Sequence, residues 1–326
     1  MATVNVLVLI HGMTLEKVAS THSPAYDVLW DGLKRREPLL AQRIDKVVHV
    51  EWGHKLVGSP PNGLADDELT TDAENTIQQA SSYDQVRSDP SGDNHPHPTP
   101  PWDLPTHAAR RITKPLKETI LTLGFTDAVF YCSPDGERAV RKAVYSRVLS
   151  QLEPYRGATE VRLHVIAASL GATVAFDFLY GLIAPGVAPD FVADRQGDET
   201  DRERFNFWRG RAQLPTPTLV LGSKTTTGAQ LPLMMMRSKN VVSMLAQGQR
   251  LDPTVIGVPR SGPPKWCIFY DVDDILGFPT RRLFDAQGTI QEHEVNTGLN
   301  PTDAHSLYWT NPYVLTEVSK LIRQNL

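Results

Sequence analysis

Three residue types spread along this chain of 326 residues could together form a proton relay: the hydroxyl of Ser169, a carboxylate from the cluster Asp271, Asp273 and Asp274, and the imidazole of His305. A serine hydroxyl is a weak nucleophile at neutral pH, and an imidazole that removes its proton, oriented in turn by a carboxylate, makes it usable. Ser169 stands where this chemistry needs it. In Leu163-His164-Val165-Ile166-Ala167-Ala168-Ser169-Leu170-Gly171-Ala172-Thr173-Val174-Ala175 an apolar, β-prone run stops at a small-residue turn and a helix-like run begins. Strand, sharp turn and helix in succession lift a hydroxyl clear of both elements, while the first amides of the helix face any anion formed beside it. Ala167, Ala168 and Gly171 leave room for a strained turn. The same residues also read as an ordinary strand–helix junction, so the choice depends on partners elsewhere.

The acidic cluster follows a buried-strand pattern, Lys265-Trp266-Cys267-Ile268-Phe269-Tyr270, which empties into Asp271-Val272-Asp273-Asp274-Ile275-Leu276-Gly277-Phe278-Pro279. Such a cluster also suits a solvated turn or a helix N-cap. His305 lies in the polar turn Asn300–Trp309, ahead of a C-terminal helix that is marked by Asn311 and Pro312 and by Val314, Leu315, Val318, Leu321 and Ile322 at helical spacing. Other histidines have duller settings: His49 and His164 sit in strand patterns, and His95 and His97 in a proline-rich loop. At the N-terminus, the apolar strand pattern Val4–Ile10 runs into His11-Gly12-Met13.

The A-x-S-x-G form Ala167-Ala168-Ser169-Leu170-Gly171 resembles the nucleophile elbow of the α/β-hydrolase superfamily, with Ala167 where the usual motif has its first glycine. His11-Gly12-Met13 resembles the His-Gly oxyanion motif of the same family. The chain order His-Gly, serine, acid, histidine is that of this fold and not of the other serine-triad folds. The likeness is to bacterial serine esterases and, more faintly, to lipases. It implies an α/β-hydrolase fold, a mostly parallel central sheet with helices on both faces and an inserted cap or lid. It implies Ser169 as nucleophile, His305 as base and Asp274 as acid, since the family form is an aspartate followed by apolar residues and a proline; Asp273 is the runner-up and Asp271 lies too close to the strand end. The oxyanion donors would be the amides of Leu170 and Met13, with Gly12 letting the loop turn close to the substrate and His11 and Gly171 in support. The implied reaction is carboxylic ester hydrolysis through an acyl-enzyme, with no metal or cofactor. Lipase or phospholipase, thioesterase and amidase activities use the same parts, and a non-catalytic ligand-binding protein of this fold is the reading from another class.

Composition agrees with an enzyme of this kind: 40% hydrophobic, 21% charged, net charge -4. No run of lysine or arginine concentrates charge as phosphate binding requires, so a nucleic-acid partner is not expected. No apolar run approaches the roughly 20 residues of a membrane span, so stable membrane insertion is not expected either. Met1–Ile10 lacks a basic leader and is needed as the first strand, and Cys132 and Cys267 read as buried free thiols, which together point to the cytoplasm. The expected partner is a small-molecule or lipid ester, and nothing in the sequence specifies an oligomeric state. His95-x-His97 lacks the neighbouring acids or thiols that a metal site needs.

The elements that must position these residues alternate. Strands are expected at Val4–Ile10, Lys46–Trp52, Ala128–Cys132, Val161–Ile166, Thr218–Leu221, Trp266–Tyr270 and Thr289–Val295. Helices are expected from Pro24 to about Arg36 with Ser23 as cap, near His107–Leu123 with a break at Pro115, at Glu137–Leu152, and after Ser169 as far as Gly181. Arg138, Arg141 and Lys142 read as the solvated face opposite Val140, Val144, Val148 and Leu152. One domain, 1–326, is expected, with 53–105 as an inserted cap or lid carrying Trp102 and Leu104 toward the pocket. Leu233, Met234 and Met235 are expected in an apolar pocket wall, and the charged stretch Asp190–Arg211, with Phe205, Phe207 and Trp208, as an exposed excursion or cap helix.

Overall fold

Six strands among the described residues, all parallel, form one sheet in the computed structural model: β1 (Thr3–Ile10), β2 (Lys46–Val50), β3 (Glu160–Ala168), β4 (Leu219–Thr227), β5 (Trp266–Tyr270) and β6 (Ile290–Glu294), in the order β2-β1-β3-β4-β5-β6. The structure describes residues 2–12, 22–52, 131, 134–186, 199–236, 238–274, 276–298, 304–305 and 307–326. Parallel strands are buried on both faces, which is why β5 and the stretch Val6–Ile10 of β1 read as unbroken apolar runs. On one face Val6, Val8, Val165 and Ile268 pack with helices α2 (Pro134–Leu152), α3 (Gly171–Ile183) and α4 (Glu199–Ala212). On the other, Leu7, Leu9, Ile166 and Phe269 pack with α1 (His22–Arg36) and α7 (Pro312–Gln324). Between them in sequence lie two short helices after β4, α5 (Leu231–Met235) and α6 (Lys239–Ala246). Because every strand runs the same way, the segments after β1, β3, β4 and β5 all leave the same edge of the sheet. That edge is where an open α/β sheet holds ligands.

Local chemistry explains most of the boundaries. Asn311 caps α7, its Oδ1 accepting from the amides of Tyr313 (2.9 Å) and Val314 (3.3 Å), with Pro312 supplying a first-turn residue that needs no partner for an N–H. The apolar stripe of α2, Val140, Val144, Val148 and Leu152, is buried, while Arg138 and Lys142 are exposed; Arg141 is half-buried and paired with Glu137 at 2.5 Å.

Several expectations need correction. β4 does not stop at Leu221 but continues through Ser223-Lys224-Thr225-Thr226-Thr227, all buried. Its polar letters hide a central strand: threonine is β-branched and fits the pleat, and the Thr226 hydroxyl accepts from Trp266 Nε1 at 3.0 Å. α3 runs two residues beyond Gly181, to Ile183, and α1 begins at His22, so Ser23 is inside the helix and not its cap. Tyr131 has helical backbone where a strand was expected. Of the charged stretch Asp190–Arg211, the described part from Glu199 onward belongs to α4 and is no excursion: Phe205 and Trp208 are buried in the core, Glu199 and Glu203 are exposed, and Arg209 and Arg211 donate to the backbone carbonyls of Gly181 and Ala184 and of Arg156 and Ala158. Met13, the expected cap 53–105 with Trp102 and Leu104, His95, His97, the stretch His107–Leu123 with Pro115, and Cys132 lie outside the described residues.

Candidate functional site

Ser169 follows β3 directly, and the strand pairing decides its conformation. Ala167 pairs with Ile10 on one side and Thr226 on the other, Ala168 pairs with Thr227, and the ladder ends when the Ser169 amide donates to the Thr227 carbonyl at 2.8 Å. The chain must then turn at once into α3. It does so with φ of 53° at Ser169, the only non-glycine residue with positive φ among the described residues. Left-handed backbone at a side chain of this kind costs on the order of 1 kcal/mol and persists only where the surroundings enforce it.

Two glycines enforce it. A Cβ built on Gly12 would stand 2.6 Å from Ser169 Cβ, and one on Gly171 would stand 2.0 Å from the His11 carbonyl oxygen. The His11-Gly12 segment after β1 is therefore pressed against the Ser169 turn, an approach that only glycine at both positions allows.

His305 meets Ser169 across the sheet edge. Its Nε2 lies 2.9 Å from Ser169 Oγ, and its Nδ1 lies 2.9 and 3.0 Å from Asp274 Oδ1 and Oδ2. Asp274 is buried, and its Oδ1 also accepts the Leu276 amide at 2.9 Å while Oδ2 accepts the Tyr308 hydroxyl at 2.9 Å. Gly228 (φ 52°) and Gly277 close the socket around the carboxylate: a Cβ at either would fall 2.8 or 2.7 Å from Asp274 Oδ2. Asp274 must accept, so Nδ1 of a neutral His305 carries the proton, Nε2 is left as acceptor, and the Ser169 hydroxyl donates to it. Asp273 is exposed, and among the described residues its bond is from the backbone amide, to Asp271 Oδ1 at 2.9 Å.

Asp271 holds the loops together. Its Oδ2 accepts the amide (2.6 Å) and hydroxyl (2.9 Å) of Thr297, whose hydroxyl also lies 2.6 Å from the carbonyl of Ala304, next to His305. Burial opposes charge on this carboxyl, but the donors from Thr297 and Asp273 outweigh it and hold it below the usual carboxylate range. Burial, with the charge of Asp274 adding to it, pushes the Tyr308 hydroxyl well above its usual range, so it stays a donor.

His11 has its ring committed elsewhere. The Trp52 amide can only donate, so His11 Nε2 accepts it at 3.2 Å and Nδ1 donates to the Gly12 carbonyl at 2.6 Å. The ring stacks on Trp52 at 5.6 Å, and Trp52 Nε1 donates to the His11 carbonyl at 3.0 Å. This is a loop brace. The buried residue Leu170 follows Ser169, and its amide has no acceptor among the described residues; it sits at the start of α3, where the helix dipole favours negative charge.

Two residues escaped the sequence. Gln230, buried after β4, donates from Nε2 to Ser169 Oγ at 3.2 Å, and Tyr308 reaches Asp274 as described. The signal for Gln230 would have been recognising β4 as running to Thr227, which puts Gly228-Ala229-Gln230 at the same edge as Ser169. Of the expected pocket wall on α5, Met234 and Met235 are half-buried against the core, while Leu233 is 57% exposed and so faces solvent. No group of three or more His, Cys, Asp or Glu able to hold a metal occurs among the described residues, nor is any of their helices long and apolar enough to cross a membrane. Compared with known proteins, the chain matches no family model and no curated protein.

Proposed function

We propose that this chain is a serine hydrolase of the α/β-hydrolase type that cleaves carboxylic esters through an acyl-enzyme on Ser169. The observation that carries it is the hydrogen-bonded chain from Ser169 Oγ through His305 to Asp274, built on a left-handed turn at the carboxyl edge of a parallel sheet. Structural histidines and aspartates pair often, but few such pairs end on a serine held in strained backbone beside a helix start.

In the first half-reaction Ser169 Oγ attacks the ester carbonyl carbon as its proton passes to His305 Nε2. The carbonyl π pair moves to oxygen, and the oxyanion is held by the Leu170 amide, with the amide of Met13 as the second proposed donor. The intermediate collapses, the alkoxide leaves, and it takes the proton from His305. Water then gives a proton to His305 and its oxygen to the acyl carbon; the C–Oγ bond breaks and Ser169 recovers the proton. Asp274 keeps the imidazole in the required tautomer and stabilises its cation. An ester suits these parts best because its carbonyl is more electrophilic than that of an amide and its alkoxide can depart before proton transfer from His305 is complete, whereas an amide nitrogen must be protonated first. The substrate is a small-molecule or lipid ester, and we place the protein in the cytoplasm, in keeping with the buried free thiol of Cys267.

A fluorophosphonate probe tests this. Wild-type protein should take the label at one site, Ser169→Ala and His305→Ala should not, and wild-type protein left unmodified would overturn the proposal.

A further inference from the structure

Besides His305, one described side chain hydrogen-bonds the reacting oxygen: Gln230, through Nε2, at 3.2 Å. It follows β4, on the opposite flank of β3 from the His11-Gly12 segment after β1, so it stands apart from that segment, and the atom it contacts is Ser169 Oγ itself. Its backbone lies at φ -91°, ψ 10°, the sparsely populated bridge region, and its carbonyl accepts the Met234 amide at 3.0 Å, fixing the residue at the start of α5. Since the Ser169 proton points to His305, the Gln230 N–H falls on a lone pair of Oγ.

Resting on the ester hydrolysis proposed above, we infer that Gln230 is a catalytic residue whose donor N–H acts mainly in the second half-reaction, on the departure of Ser169 Oγ from the acyl-enzyme. The reasoning is differential binding. In the free protein Oγ is a hydroxyl oxygen and already accepts the N–H, so attack on the ester changes only the strength of a bond present from the start. In the acyl-enzyme Oγ is the bridging oxygen of an ester, a poor acceptor. When water has added and the C–Oγ bond breaks, the bonding pair returns to Oγ, negative charge builds there, and the proton arrives from His305. The N–H of Gln230 then gains an acceptor it lacked in the acyl-enzyme, and that gain lowers the deacylation barrier selectively.

The test uses p-nitrophenyl acetate with stopped-flow detection of phenolate and acid-quenched intact-mass analysis of Ser169. Gln230→Met, similar in length and without a donor, should release the first phenolate within about threefold of the wild-type rate, then turn over about tenfold more slowly, the factor expected for one hydrogen bond. Acetyl-Ser169 should accumulate in the variant beyond the wild-type level. Equal slowing of both phases, or unchanged turnover, would overturn the role of Gln230 while leaving the hydrolase standing. Gln230→Leu carries the same test should Gln230→Met lose its cooperative thermal transition. Wild-type protein that forms neither acetyl-Ser169 nor a fluorophosphonate adduct would overturn the hydrolase reading and this role with it.

Discussion

The Tyr308 hydroxyl stands between Asp271 and Asp274, accepting the backbone N–H of the first at 2.8 Å and donating to Oδ2 of the second at 2.9 Å. One hydroxyl thus ties the end of β5 to the carboxylate three residues later and to the segment that follows His305.

Tyr308→Phe removes both bonds while keeping the ring in the core. Asp274 keeps its bonds to Leu276 and His305, so kcat/KM on a nitrophenyl ester should fall by about tenfold, the worth of one hydrogen bond, and the midpoint of urea unfolding should fall by the equivalent of about 1–3 kcal/mol because the Asp271 amide is left unpaired. Unchanged activity would show that the hydroxyl does not orient the acid.

Asp274→Asn presents a donor or a wrong acceptor to His305 Nδ1, and loss of the right tautomer should lower kcat by about 10⁴. Asp273→Asn should stay near wild type, because that side chain is exposed. The reverse ranking would make Asp273 the acid.

Lys224 offers a pH test of stability. It is fully buried, its Nζ 4.1 Å from the Trp266 ring centroid and 5.0 Å from that of Phe176, with no hydrogen-bond partner among the described residues. Burial lowers its pKa from 10.5 to about 7, against the opposing pull of Asp177. The Tyr131 and Tyr145 hydroxyls beside Asp177 are pushed up by burial and stay neutral in that window, and Arg141 stays charged. The unfolded chain therefore binds the lysine proton more tightly than the folded one, and wild-type stability rises with pH between about 7 and 10.5. Lys224→Met should be more stable than wild type by about 1 kcal/mol or more at pH 6.5, with a smaller advantage at pH 9.5, as read from urea midpoints. An advantage that does not shrink with pH would refute the lowered pKa.

Gly171 and Gly210 should respond to alanine with opposite signs. At Gly171 the methyl would meet backbone, the His11 carbonyl, and the cost should be about 1–3 kcal/mol or more together with loss of fluorophosphonate labelling. At Gly210, inside α4, nothing lies within 4 Å, and alanine should stabilise by about 0.5–1 kcal/mol through helix propensity alone. Differential scanning calorimetry of the two variants decides it.

What the sequence made legible was whatever is written locally. β5 is a continuous apolar run and so is β1 from Val6 to Ile10, α7 carries its own cap in Asn311, and the turn at Ser169 is marked by the small residues Ala167, Ala168 and Gly171 between a strand pattern and a helix pattern. His305 could be found because it precedes an unmistakable last helix. The failures are tertiary. Lys224 and the threonines of β4 look like a loop because their burial depends on Trp266 and Phe176, far away in the chain. α4 looks solvated because arginine and glutamate outnumber its two buried aromatic side chains, Phe205 and Trp208. Gln230 and Tyr308 take their roles from atoms 61 and 34 residues distant, which no local pattern records.

The glycine walls around Asp274 act as a length gauge. With Gly228 and Gly277 so near Oδ2, the socket accepts a carboxyl carried on one methylene, and a glutamate would have to back out of it and drag His305 along. Position 274 is in this sense mortgaged to positions 228 and 277: a side chain gained at either glycine must shift the carboxylate, so the three can change only together as the molecule diverges.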